Sequence, residues 1–218
     1  RSTLVQADHP GPYEAGVFYY RLPGEPTGHI LAITDKHFPV ITGDGESTLE
    51  VLILRHPRFR MQARTFLRRH ADRADDVLAA GETLRLAMAG NHCQGTEFRD
   101  GAHLITPALE QRIDAVAKQF DGFFFGRFDL RYSDVDRFTA GEEIHIIEVN
   151  GVTSEATNIY DPTWPLWRAY RLLFRQWAIA FEIGRRNRAA GHAPSTLRAI
   201  VRDARRHWRS RRADKLSD

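Results

Sequence analysis

Phe123-Phe124-Phe125-Gly126-Arg127-Phe128-Asp129-Leu130-Arg131 and, shortly after it, Ile144-His145-Ile146-Ile147-Glu148-Val149-Asn150 are the stretches on which the reading of this chain turns. Both are rich in β-branched and aromatic residues, and side chains alternate faces along a strand. Arg127, Asp129 and Arg131 therefore share one face and Phe128 and Leu130 the other, while Glu148 and Asn150 stand opposite Ile147 and Val149. If the two strands are neighbours, Asp129, Glu148 and Asn150 converge with Arg127 beside them. Two carboxylates and an amide oxygen make a hard-oxygen set suited to Mg²⁺. A guanidinium alongside suits a phosphoryl group. The plainer reading of either strand alone is an amphipathic sheet with a wet polar face, but two such strands in apolar surroundings favour a site.

Outward from this pair, residues 15–21 and 29–34 are short strand-like runs separated by Pro23-Gly24-Glu25-Pro26, which reads as a hairpin or meander. Thr42-Gly43-Asp44-Gly45 is a tight turn, and Ser47 with Glu50 has capping-box spacing for a helix to about His56. A second helix is expected after Pro57, with Met61, Phe66 and Leu67 on its buried side. Residues 82–104 read as short strands and a loop around Asn91–Gly95. Thr106-Pro107 opens a helix with Leu109, Ile113, Val116, Ala117 and Phe120 at helical spacing, and Ser133 begins a short one between the two decisive strands. Asp161-Pro162 is expected to open a long helix to about Ala190. Its stripe Trp164, Trp167, Tyr170, Leu173, Phe174, Trp177 and Phe181 reads as core packed against the sheet. A last helix from Ser195 places Leu197, Ile200, Val201, Ala204 and Trp208 on one face.

Composition sets outer limits. The 218 residues are 42% hydrophobic and 27% charged, enough to bury a core, and no run approaches a membrane span. A single cysteine excludes a disulfide framework and points to a reducing, cytoplasmic setting. His92-Cys93 has neither a second Cys nor zinc spacing. The net charge of +3 is uneven: residues 185–218 hold ten Arg and one Lys against three Asp, or +8, which leaves −5 on the first 184 residues. That basic tail could grip nucleic acid or an anionic membrane surface. Its apolar face suggests simple docking onto the body, and a solvated, docked or frayed helix is favoured over a phosphate-binding arm.

Gly126-Arg127-Phe128-Asp129, some twenty residues, then Ile147-Glu148-Val149-Asn150-Gly151 resembles the ATP-grasp superfamily, in particular its carboxylate–amine ligases of the D-alanine–D-alanine ligase, cyanophycin synthetase and glutathione synthetase type. Three further segments agree in order. Leu4-Val5-Gln6-Ala7 followed by Gly11-Pro12-Tyr13-Glu14 is similar to the hinge strand, Pro39–Thr48 resembles the Gly-Asp-Gly turn and helix, and Asn91–Gly95 sits where relatives carry an Asn- and Gly-containing loop. The resemblance spans about residues 3–180. It implies an α+β fold with a largely antiparallel sheet flanked by helices, an ATP-grasp-like domain over residues 1–192 and a basic helical tail over 193–218.

By the same resemblance Asp129, Glu148 and Asn150 would hold Mg²⁺ bridging ATP phosphates, and Arg127 would stabilise the transferred phosphate. Gln6 and Ala7 would offer backbone groups to adenine, Glu14 would reach the ribose hydroxyls, and Asn91 would touch phosphate or substrate. Ser154 and Glu155, in the loop directly after the second strand, read either as touching substrate or as shaping the loop, the former being slightly favoured. The implied chemistry joins a small-molecule carboxylate to an amine through an acyl phosphate, in a protein that could self-associate. One departure stands out. The family's strand Lys and mobile Gly-rich loop lie upstream of the hinge, and Lys36, Lys118 and Lys215, the only lysines here, do not follow that pattern. A chain starting at Arg1, at the hinge, is expected to be the C-terminal part of a longer enzyme. The rival readings are a non-catalytic nucleotide-fold remnant and a protein acting through its Arg-rich tail.

Overall fold

The structure, a computed structural model, describes residues 9, 11–88 and 90–213, with side chains for all of these except residues 92 and 208–213. The chain runs β1 (Tyr13–Tyr20), β2 (His29–His37), β3 (Val40–Thr42), α1 (Leu49–Arg55), α2 (Ala63–Arg69), β4 (Thr83–Arg85), β5 (Glu97–Asp100), α3 (Pro107–Ala117), β6 (Phe125–Tyr132), α4 (Val135–Thr139), β7 (His145–Asn150), α5 (Leu166–Ala189) and α6 (Leu197–Ala213). Five strands form one sheet in the order β5-β2-β1-β6-β7, and every neighbouring pair is antiparallel. β3 and β4 make a separate two-stranded sheet. The fold is α+β: a mostly antiparallel sheet flanked by helices, with a helix at the C-terminal end.

Strand alternation sorts the central strands into two faces. Ala15, Val17 and Tyr19 of β1, with Phe128, Leu130 and Tyr132 of β6, form one buried layer with Leu109, Ile113 and Ala117 of α3 and Phe138 of α4. Thr106 caps α3 by accepting the Leu109 amide, and Pro107 fills the first turn, where a missing N–H costs nothing. Phe18 and Phe125 point the other way and pack with Ala156 and with Ile183 of α5. That face is apolar only at this end. Towards the other end it carries Glu14, Lys36, Asp129, Arg127 and Arg131.

A second body of core gathers Ile41, Leu49, Ile53, Phe59, Phe66, Leu78 and Leu86 around α1, α2 and the small sheet. Its entrance is the expected Gly-Asp-Gly turn. Asp44 accepts the backbone amides of Ser47 and Glu46 at 2.7 and 2.9 Å, and these bonds hold its carboxyl down to about 2.

Several expectations shift in detail. Thr48, with extended backbone, caps α1 in place of Ser47, whose hydroxyl instead receives Arg55. Phe66 is buried, but Met61 lies in a one-turn 3₁₀ segment and is 80% exposed. Asp134 caps α4 in place of Ser133. α5 begins at Leu166 and not at Pro162, because Asp161 turns its carboxylate back onto Thr163 and onto the Asp100 amide.

The largest correction concerns the aromatic stripe of α5. Trp167, Tyr170, Phe174, Trp177 and Phe181 are solvent-exposed, and the inner face of the helix is made by Leu172, Gln176, Ile179, Ala180 and Ile183. Of the solvated, docked and frayed forms expected for the tail helix, the exposed Leu197, Ile200 and Val201 of α6 match the solvated one. The Trp208 side chain lies outside the described residues.

Candidate functional site

β6 stands between β1 and β7, with Gly16 of β1 opposite Asp129 and Glu148 of β7 opposite Asp129 on the other side. Arg127 pairs with Asn150. A bulge between Asp129 and Leu130 realigns β7 so that Ile146 faces Leu130. The absence of a side chain at Gly16 is what the face requires. A Cβ there would meet Arg127 Cδ and Asp129 Oδ1, both at 3.2 Å, so glycine lets Arg127 lie flat across the strand.

The result is a chain of alternating buried charges. Lys36 Nζ donates to Glu14 Oε1 and to Asp129 Oδ1, both at 2.9 Å. Arg127 grips Asp129 through Nε and through its second nitrogen, which reaches Oδ2 at 3.0 Å. Arg131 Nε donates to Glu14 Oε2 at 3.2 Å, and its remaining nitrogens bond the carbonyls of His9 and Met88. Glu14, Lys36 and Asp129 are each at most 7% exposed. Charges this deep persist only when paired and hydrogen-bonded.

These groups line a cavity of about 380 Å³ together with Gly90, Asn91, Phe98, Ile147, Glu148 and Thr157. Its rim is fastened from the far side. Arg127 also donates to the Glu155 carbonyl at 3.0 Å, and Thr157 shares a hydroxyl bond of 2.9 Å with Thr34 of β2. The fully buried Gln176 of α5 accepts the Ala156 amide and donates to the Ser154 carbonyl. Larger hollows along α5 and α6 carry no buried charge in their linings, and a neighbouring one of about 400 Å³ shares Lys36, whereas charges from four strands converge on the 380 Å³ cavity.

Set against the expected site, the structure brings Glu14, Asn91, Arg127, Asp129 and Glu148 to one cavity, with Asn150 behind it, donating to Asp129 Oδ2 at 3.0 Å. Glu14 has both oxygens engaged by Lys36 and Arg131. Ser154 turns its hydroxyl onto Gly151, and Glu155 receives Tyr160. Gln6 and Ala7 lie outside the described residues. Lys36 and Arg131 were not singled out from sequence as site residues. The signal for Lys36 was present: continuing the alternation of Ala32 and Thr34 by one step puts Lys36 on the same face.

The donor set can be weighed against Mg²⁺. In kind it fits, because Glu148 offers a carboxylate with no ion pair among the described residues, and Asn150 spends its amide nitrogen on Asp129, leaving the oxygen. In arrangement Asp129 is committed to Lys36, Arg127 and Asn150, and no group of three His, Cys, Asp or Glu among the described residues is gathered to hold a metal. Divalent binding at Asp129 requires the two cations to find another anion.

A buried, alternating ion-pair chain on one face of an antiparallel sheet, beside a cavity, defines the class: an α+β protein whose cleft is lined by three cations, Lys36, Arg127 and Arg131, and three carboxylates, Glu14, Asp129 and Glu148. No family model matches the chain, and no curated protein does. Among solved structures it is similar to a bifunctional glutathione synthetase from Pasteurella multocida, with a TM-score of 0.47 and 16% identity over 78% of this chain and 24% of that one. The chain thus spans about a quarter of that enzyme's length.

Proposed function

We propose that the chain is the phosphate- and metal-binding part of an ATP-grasp-type carboxylate–amine ligase. The observation that carries this reading is the meeting of Lys36 and Arg127 on Asp129, next to Glu148 and Asn150, in the cavity that Asn91 also lines. The ordered sequence motifs around Asp44, Asn91, Asp129 and Glu148 support it independently.

The reaction would join two substrates in two displacements. A carboxylate oxygen attacks the γ-phosphorus of ATP and ADP leaves; an amine nitrogen then attacks the acyl carbon and phosphate leaves. Little covalent work falls to the protein in such transfers, which depend on positioning and charge neutralisation. Lys36 and Arg127 supply two cations already held within one cavity. A triphosphate would offer them oxygens in place of Asp129, and the Glu155 carbonyl keeps the Arg127 fork from swinging away. Arg131 has its donors tied to Glu14 and two carbonyls, so it holds Glu14 in place. Mg²⁺, when bound, would neutralise phosphate oxygens, held by Glu148, the Asn150 amide oxygen and an Asp129 released from its cations.

The test is phosphate release from ATP with a panel of carboxylates and amines, using the full-length protein. Arg127→Ala is expected to lower kcat about a hundredfold, the size of losing one charge-stabilising donor. Release that needs no added divalent ion, or that Arg127→Ala leaves intact, contradicts the reading.

A further inference from the structure

We infer that the outward face of α5 is a docking surface for an anionic lipid bilayer, an inference that stands apart from the nucleotide reading. Leu166, Trp167, Tyr170, Phe174, Trp177 and Phe181 recur at three- and four-residue steps and so fall within one stripe of the helix. They are open to solvent, Trp167 at 64%, Phe174 at 73% and Phe181 at 77%. Contiguous aromatic surface of this kind marks an interaction site.

The flanking charges select the occupant. Arg171 and Arg175 border the stripe on one side, and Arg185 and Arg188 close its C-terminal end. The helix has one acidic residue, Glu182, which is already held by Arg185 and Arg186 at 2.7 and 2.8 Å. A second copy laid along the same face would bring arginine against arginine with no free carboxylate between them. Nucleic acid would meet the arginines but leave the aliphatic and indole surface without a match. A bilayer with anionic headgroups satisfies both, since rings of Trp and Phe enter the headgroup–acyl boundary and each nearby Arg adds electrostatic attraction.

Past the end of α5, a groove of about 990 Å³ opens between Val152, Trp177, Phe181, Gly184 and Pro194, apolar in most of its lining. α6 repeats the chemistry, with Leu197, Ile200 and Val201 exposed on one side and Arg198, Arg202, Arg205 and Arg206 on the other. No helix among the described residues is long and apolar enough to cross a membrane, so the contact is one of lying on the surface.

The experiment is co-sedimentation of the whole chain with vesicles of phosphatidylcholine alone and of phosphatidylcholine with phosphatidylglycerol, read together with Trp emission. Wild type is expected to partition onto the phosphatidylglycerol vesicles with a blue shift and to lose that binding in high salt. Trp167→Ser/Phe174→Ser/Phe181→Ser should weaken partitioning roughly tenfold or more, and Arg171→Glu/Arg175→Glu should weaken it on anionic vesicles alone. All five side chains are exposed, so an unchanged melting temperature certifies the fold of both variants. Three results overturn the inference: no partitioning of wild type, partitioning that the triple variant retains, or a wild-type dimer that the triple variant converts to monomer. Tighter binding of a single-stranded oligonucleotide than of anionic vesicles overturns it as well.

Discussion

Lys36 and Asp129, ninety-three residues apart in the chain, meet at 2.9 Å at the centre of the sheet's polar face. The lysine has a second carboxylate at the same distance, Glu14, and all three side chains are at most 7% exposed. Removing the cation leaves two buried carboxylates with Arg127 and Arg131 as their remaining cationic partners and the Asn150 amide on Asp129. Lys36→Met is therefore expected to cost about 3 kcal/mol, the lower end of the range for breaking a buried pair. Urea unfolding followed by circular dichroism measures it, and a loss under 1 kcal/mol would mean that the lysine is not held as described.

Gly90, next to Asn91, packs tightly against that ion-pair chain. A Cβ at this position would stand 2.2 Å from Glu14 Oε1 and 2.9 Å from Lys36 Cδ. Gly90→Ala should push the loop away or turn Glu14 aside, lowering stability by about 1–3 kcal/mol, as overpacking does, and weakening anion binding in the cavity. A melting temperature within error of wild type, with anion binding intact, would count against the packing.

Gln176 reaches the site without touching the cavity. Its amide holds the Ala156 N–H and the Ser154 carbonyl, on either side of the Glu155 carbonyl that receives Arg127. Gln176→Leu leaves both backbone groups unpaired in the interior, at about 2 kcal/mol. Beyond that loss, Arg127 should become more mobile, so nucleotide affinity falls even at temperatures where the variant is fully folded. Gln176→Glu, which keeps one acceptor, should recover part of it.

On the other face, Asp114 links α3 to the β1–β2 hairpin. It accepts Tyr19 Oη at 2.7 Å, the Gly28 amide at 2.9 Å and Lys118 Nζ at 2.6 Å. Burial works to raise its carboxyl, but the bonds from Lys118, Tyr19 and Gly28 outweigh it and hold the group below the ordinary 3.8. Burial, with Asp114 beside it, pushes the Tyr19 hydroxyl above its usual range. A depressed folded-state value means that the stabilisation is complete above the unfolded value near 3.8 and is lost as pH falls through the folded one. Asp114→Asn should cost about 2 kcal/mol at neutral pH, and its deficit relative to wild type should shrink on acidification from pH 4 towards 2. A deficit that stays constant across that window would rule out the charged form as the origin.

Much of this arrangement was legible from residue order. Alternation on β6 separates Arg127, Asp129 and Arg131 from Phe128 and Leu130, and the structure keeps that division, with β7 alongside. Thr106-Pro107 and the Gly-Asp-Gly turn read correctly because capping and turn chemistry are local. Lys36 is not marked by the sequence pattern, because the β-branched residues of β2 stop at Thr34, whereas pairing with β5 carries the strand to His37. The α5 stripe misled for a different reason. Helical spacing reports that a face is apolar but not that it faces inward, and α5 has two such faces, of which the less aromatic one meets the sheet. Adjacent candidates for a cap, Ser47 with Thr48 and Ser133 with Asp134, are resolved by which side chain accepts an amide of the first turn, Thr48 from Val51 and Asp134 from Arg137.

Equilibrium binding of ATP, measured calorimetrically with and without Mg²⁺, bears most directly on the cleft. Wild type is expected to bind ATP more tightly when Mg²⁺ is present, with Lys36→Met weakening binding under both conditions. Glu148→Gln, on an exposed side chain that the fold does not need, should remove the Mg²⁺ enhancement and spare the metal-free affinity. ATP binding that is indifferent to Mg²⁺, or a Glu148→Gln variant that retains the full enhancement, would contradict the assignment of this cleft to metal-assisted phosphate binding.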